Sequence, residues 1–149
     1  MKVTLTTVSF QVSDKMLEYA TTSSPEAAAL FGRSLLEKMD AGQEHVILLV
    51  VNAANAVTGF KVISSGGTDS AQVDPKLLFR SALTMGTGVS GLILIHNHPS
   101  GDPTPSAQDT ALTNQLQAGS KILEFRFLDH VIIGNRGRSF SYREHGLLR

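Results

Sequence analysis

Two histidines and an aspartate stand at a spacing that suits one metal ion. His96 and His98 follow the apolar run 91–95, and residues i and i+2 of a strand point to the same face. Asp109 lies eleven residues beyond His98, after a loop rich in Pro and Gly that allows the next helix to fold back against the strand end. Two neutral imidazoles and one carboxylate suit Zn²⁺ and leave a fourth position for water. The spacing therefore predicts a zinc site.

Each part of this pattern also has an interpretation without a metal. Two histidines at a strand end can simply face solvent. The pattern Ser106-x-x-Asp109 matches a capping box, in which Ser106 accepts from the backbone N–H of Asp109 and the carboxylate reaches back. The combination of His-x-His after a buried strand, a constrained loop and an acid in the first turn of a helix favours the metal.

Composition limits the other possibilities. The chain of 149 residues contains no cysteine, so any metal ligand must be His, Asp, Glu or water. Its length and its 42% hydrophobic content suit one compact domain spanning residues 1–149. The sequence has no apolar run of about 18 residues and no apolar signal segment at its start, so we expect a cytoplasmic protein without a membrane span.

Charge gives a weaker signal. Thirteen Lys and Arg balance thirteen Asp and Glu, which argues against nucleic-acid binding driven by phosphate neutralisation. From residue 121 to residue 149, however, six positive residues stand against three negative ones. That local excess either attracts an acidic partner or forms a solvated surface around a strand hairpin.

Hydrophobic periodicity and turn residues predict an α/β sandwich in which helices flank a mixed β-sheet. Strands are expected at 3–12, 45–51, 57–64, 91–95, 122–133 and 139–142. A first helix is expected between Ser24 and Gly42, with Leu30, Phe31, Leu35, Leu36 and Met39 inward. A second helix opens at Asp74-Pro75 with Leu77, Leu78, Ala82 and Leu83 inward, and a third runs from Ser106 to about Ala118.

The metal segment resembles a known signature. The JAMM (MPN+) metalloprotease pattern is similar to His96-Asn97-His98-Pro99-Ser100-Gly101-Asp102-Pro103-x-Pro105-Ser106-x-x-Asp109. Its start, His-Asn-His-Pro-Ser-Gly, resembles more narrowly the RadC family, and the similarity runs from about Glu44 to the C-terminus. It includes Ala82-Leu83 and the segment 128–134. The resemblance implies a JAB/MPN-like αβα sandwich. RadC proteins usually carry a helix-hairpin-helix region ahead of this domain. The first 43 residues do not resemble such a region, and we expect them to form a strand and a helix that pack on the JAB/MPN-like domain.

The resemblance also implies residue roles. His96, His98 and Asp109 would hold Zn²⁺, and Glu44, at the start of a strand, would act as general base. Ser106 would stabilise an oxyanion by hydrogen bonding. We further expect His130 to line the cleft, to support a metal ligand or to be a structural histidine. For Glu44, the alternative is an ordinary exposed glutamate.

The implied function is a zinc-dependent hydrolase that cleaves an amide, peptide or isopeptide bond of a protein substrate. One alternative is a RadC-like DNA-associated factor or metal-dependent nuclease in DNA repair, which the basic C-terminal segment favours. A non-catalytic interaction module is a further alternative. An edge strand near the N-terminus would allow a homodimer.

Overall fold

Three helices and five strands make up residues 24–65 and 73–148, the part of the chain that the computed structural model describes. The helices are α1 (Pro25–Leu36), α2 (Pro75–Thr84) and α3 (Ala107–Ile122). The strands are β1 (His45–Val51), β2 (Val57–Ser65), β3 (Gly91–Asn97), β4 (Arg126–Ile133) and β5 (Ser139–Ser141). None of these helices has the length and apolar content that a membrane span requires. The predicted strand at 3–12 lies outside the described residues.

The strands form one mixed sheet in the order β2-β1-β3-β4-β5. The β3–β4 pair is parallel, and the other pairs are antiparallel. One face of the sheet packs against α1 and the other against α2 and α3, which gives two separate hydrophobic clusters. The predicted α/β sandwich with a mixed sheet is confirmed.

The central positions of β1 and β3 in the sheet explain the apolar runs at 46–51 and 91–95. All seven residues of β1 and all seven of β3 are buried, because helices cover both faces of the sheet. Val46 of β1 lies opposite His96 of β3, so the start of β1 and the end of β3 meet at one edge of the sheet. This edge also faces the start of α3, where Ser106 is the N-cap.

Polar caps begin all three helices. Ser24, Asp74 and Ser106 each accept a backbone N–H of the first helical turn, and a proline follows the cap in α1 and α2. These starts match the predicted ones. The predicted end of α1 near Gly42 is wrong, because the chain leaves the helix at Leu36 through tighter turns.

The predicted inward faces of two helices were partly wrong. Leu30 of α1 is 42% exposed, and Leu77 and Leu83 of α2 are 43% and 59% exposed. Ser81 takes their place beside Leu78 and Ala82 on the buried face of α2. Successive helical residues are rotated by about 100°, so only a narrow strip of each helix contacts the sheet. Leucines on either side of that strip stay partly exposed.

The boundary between α3 and β4 also differs from the prediction. Ile122 ends α3 and is 81% exposed, whereas the pattern assigned it to a strand. Glu124 adopts a left-handed φ of 58°, and the N–H of Phe125 donates to the carbonyl of Ser120. This Schellman-type ending reverses the chain before β4 begins at Arg126.

Hydrogen bonds hold the loop after β3 against the β4–β5 turn. The N–H of His98 donates to Ile133 O at 3.1 Å, and the N–H of Asn135 donates to Gly101 O at 3.0 Å. Gly101 has a φ of +80°, and a Cβ atom there would lie 2.3 Å from the Asn135 side chain. A glycine is therefore required where this loop crosses the turn.

Candidate metal centre

Four side chains from different elements meet beside the end of β3. Glu44 directly precedes β1, His96 lies within β3, His98 directly follows it, and Asp109 lies in the first turn of α3. One donor atom from each side chain lies within 4.8 Å of the others. The sheet register and the capped helix thus bring together the three predicted ligands and the predicted base.

The separations of the donor atoms match those of a tetrahedral site. Nε2 of His96 lies 3.0 Å from Nε2 of His98 and 3.2 Å from Oδ1 of Asp109. Zinc bonds of about 2.0–2.1 Å set the ligand-to-ligand edge of a tetrahedron at about 3.3 Å. Oε1 of Glu44 lies farther out, 3.9 Å from Nε2 of His96. The group therefore fits a metal ion held by the histidines and Asp109, with Glu44 beside them.

A carbonyl determines which nitrogen of His98 faces the site. Nδ1 of His98 lies 2.8 Å from the backbone oxygen of Asp102, which can only accept a hydrogen bond. In the neutral ring Nδ1 therefore carries the proton, and Nε2 presents its lone pair to the site. The hydrogen bond with Asp109 raises the pKa of His98, although burial opposes the shift. The negative charges of Asp109 and Glu44, which favour a proton on His98, would also attract a metal cation.

A longer chain of hydrogen bonds orients His96. Its Nδ1 lies 2.8 Å from Nε2 of His130, and Nδ1 of His130 lies 2.6 Å from Oγ1 of Thr113. Complete burial lowers the pKa of His130 well below its usual value, so its ring is neutral. The Thr113 hydroxyl donates to the carbonyl of Asp109 at 2.7 Å and therefore accepts from His130. His130 in turn accepts from His96, which leaves the lone pair on Nε2 of His96 for a metal.

Asp109 belongs to the capping box and faces the metal site at the same time. Its Oδ2 accepts the N–H of Ser106 at 2.6 Å and the Ser106 hydroxyl at 2.7 Å. The same hydroxyl accepts the N–H of Asp109 at 3.1 Å. Burial raises the pKa of Asp109, but the His96 and His98 rings, which donate to the carboxylate when their Nε2 atoms are protonated, outweigh burial and hold the pKa well below its usual range. The two interpretations of the Ser106-x-x-Asp109 pattern are therefore compatible.

The sequence interpretation missed two residues that support this arrangement. Thr113 follows Asp109 by one helical turn, and this i, i+4 spacing could have identified it. Tyr142 stacks on the His130 ring, with centroids 5.0 Å apart and planes inclined by 7°. Nothing in the sequence pattern points to Tyr142, because β5 and the following turn bring it to His130 only through the fold.

Replacing Thr113 with Val is expected to weaken zinc binding by about 10- to 100-fold, the usual effect of losing an outer hydrogen-bond partner. The buried Nδ1–H of His130 would lose its acceptor. A shift of that proton to Nε2 would move the His96 proton onto the nitrogen that faces the metal. Chelator competition measures the affinity, and ¹⁵N shifts of the His96 ring report its tautomer. Thr113→Ser keeps the hydroxyl and should show the zinc affinity and the His96 tautomer of the wild type. Equal zinc affinities for the Val and Ser variants would contradict the prediction.

Arginines of the basic C-terminal segment bond to uncharged groups of the protein. Arg126 donates to Oδ1 of Asn55 at 2.7 Å, and Arg138 donates to the carbonyl of Gly101 at 3.0 Å. The first contact joins the start of β4 to the β1–β2 turn, and the second joins the β4–β5 turn to the loop after β3. They give these two arginines structural roles, and nucleic-acid binding stays a prediction.

The fold and the site together define an α/β sandwich domain with a candidate metal centre at the end of a central strand. The chain belongs to the family described as RadC-like JAB domain, which residues 22–147 match. The family resemblance inferred from the metal segment is therefore confirmed.

Curated relatives bear the name UPF0758 protein. One from Desulfitobacterium hafniense is 37% identical over 137 residues, covering 92% of this chain and 58% of the relative. One from Caldanaerobacter subterraneus subsp. tengcongensis is 40% identical over 113 residues, 75% of this chain and 47% of the relative. One from Methanococcoides burtonii is 43% identical over 106 residues, 71% of this chain and 45% of the relative. The chain thus spans about half the length of these relatives.

Proposed function

We propose that this domain is a zinc-dependent hydrolase that cleaves an amide bond in a peptide or an isopeptide-linked protein. The observation that carries the proposal is the position of Glu44, whose Oε1 lies 3.9 Å from Nε2 of His96. A carboxylate at this distance is beside the ligand set, where a general base is needed. The family relationship supports the same reaction class.

Zinc held by His96, His98 and Asp109 would supply Lewis acidity and a nucleophile at neutral pH. The Glu44 carboxylate then accepts the proton that the attacking water loses as its oxygen bonds to the carbonyl carbon. When the C–N bond breaks, Glu44 returns that proton to the leaving nitrogen. The carboxylate ends the cycle as it began.

Ser106 has two available roles at this site. In the structure its hydroxyl donates to Oδ2 of Asp109 at 2.7 Å and thereby orients the carboxylate. Stabilising an oxyanion requires the hydroxyl proton to turn from Asp109 toward the substrate. The orienting role is compatible with the capping box, and the oxyanion role stays a prediction.

The test is a substrate panel with the zinc-loaded, chelator-stripped and zinc-reconstituted protein. The panel contains a fluorogenic peptide, an isopeptide-linked conjugate and a phosphodiester. We expect amide or isopeptide cleavage that disappears on stripping and returns on reconstitution. Amide cleavage that is unaffected by stripping, or cleavage of the phosphodiester alone, would contradict the proposal. Zinc binding without any cleavage would favour the interaction module.

A further inference from the structure

Asn97 lies between the two histidines of the candidate site, but its side chain bonds elsewhere. Its Oδ1 accepts the N–H of His45 at 2.9 Å, and its Nδ2 donates to the carbonyl of Gln43 at 2.9 Å. A backbone N–H only donates and a carbonyl only accepts, so these partners fix the orientation of the amide. Asn97 is 9% exposed, and its hydrogen bond with the N–H of His45 is buried, whereas the one to the carbonyl of Gln43 is partly buried.

The two backbone groups that Asn97 holds lie on either side of Glu44. The carbonyl of Gln43 belongs to the peptide plane before the Cα of Glu44, and the N–H of His45 belongs to the plane after it. Because each peptide unit is planar, holding both planes restricts φ and ψ of Glu44. Asn97 thus holds the backbone from which the Glu44 carboxylate extends.

The sheet explains why a side chain is needed at this point. Backbone pairing between β1 and β3 ends at Val46 and His96, while β3 continues beside β4 as far as Asn97 and Ile133. Beyond this last pair, the β1 side has no further register with β3. The Asn97 amide supplies an acceptor and a donor there, as a backbone peptide group would. It extends the attachment of this chain segment to β3 from Val46 back to Gln43, toward the site.

We propose that Asn97 is a positioning residue that sets the place of the Glu44 carboxylate beside the metal ligands. The role as a positioner for catalysis rests on the proposed function of Glu44 as general base. A base must stay within hydrogen-bond reach of the proton it accepts, and a displacement of about 1 Å costs about 100-fold in rate. Ala at this position loses both hydrogen bonds, and Asp loses the donor while keeping nearly the same volume.

The kinetic test is a double-mutant cycle with zinc-loaded protein. Asn97→Ala and Asn97→Asp are expected to lower kcat by about 10- to 100-fold, while zinc affinity stays within about 2-fold of the wild type. In a Glu44→Gln background, the same changes should have little further effect, because the residue through which they act is already disabled. Asn52→Ala is the matched control, since this amide bonds to the backbone of the β1–β2 turn, at the other end of β1. Its kcat should match that of the wild type.

The second test does not depend on activity. Hydrogen exchange by NMR should show faster exchange of the His45 amide in Asn97→Ala, while the amides of Leu48 and Leu49 keep their protection. Unchanged protection of His45 would overturn the proposal, as would a zinc affinity that falls with kcat or effects that add fully in the cycle. If the wild type cleaves no amide, the proposed function fails, and the exchange of His45 still decides whether Asn97 holds this backbone.

Discussion

Replacing His96 and His98 together with Ala is expected to reduce bound zinc from about one ion per chain to background. The change removes two of the three protein donors. A structural zinc site contributes about 10–16 kcal/mol over four ligands, so each lost ligand costs about 100- to 1000-fold in affinity. Elemental mass spectrometry on untagged protein measures the zinc content directly.

His145→Ala is the control for this experiment. The His145 ring stacks on Phe140 and bonds to the carbonyl of Ser141, away from the metal centre. Its removal should leave the zinc content unchanged. A double variant that keeps its zinc would exclude the proposed ligands. A wild type that binds none, after zinc is supplied and the excess removed, would favour the non-catalytic interaction module.

Glu44→Gln is expected to lower the rate of amide cleavage by about 100- to 10,000-fold while zinc stays bound. Glutamine has nearly the same size and keeps an oxygen near the site, but it does not take up the proton at neutral pH. Because Oε1 of Glu44 lies 3.9 Å from Nε2 of His96, outside the proposed ligand set, the metal should be retained. The same substrate panel and the same metal analysis measure the two effects.

Glu37→Gln is the matched control, because Glu37 is an exposed glutamate at the end of α1. It should cleave the substrate at the rate of the wild type. Activity that survives in Glu44→Gln would exclude Glu44 as the base. Loss of zinc from that variant would instead identify Glu44 as a ligand and require another residue as the base.

Local sequence patterns predicted the elements whose burial is uniform or whose ends carry polar caps. Strand β1 was predicted over 45–51 because a strand covered by helices on both faces is continuously apolar. The starts of α1 and α2 followed from Ser24 and Asp74, each with a proline after it. The end of α3 was missed, since a left-handed Glu124 is uncommon at that position and the apolar run around Ile122 resembles a strand.

The sequence by itself determined the candidate donor set and its local geometry. Two histidines at i, i+2 share a strand face, and Ser106 capping α3 sets the orientation of Asp109 in its first turn. These relations depend only on neighbours along the chain. The family resemblance added Glu44, which spacing alone does not connect to the histidines.

Only the tertiary structure decided what supports those donors. His96 meets His130 across 34 residues, and Asn97 meets the N–H of His45 across 52 residues. Such contacts depend on which strands become neighbours and on where the backbone pairing of each two strands ends. The periodicity of a single strand specifies neither of these. The physical reason is that alternation specifies the face of a side chain but not the partner strand or the register.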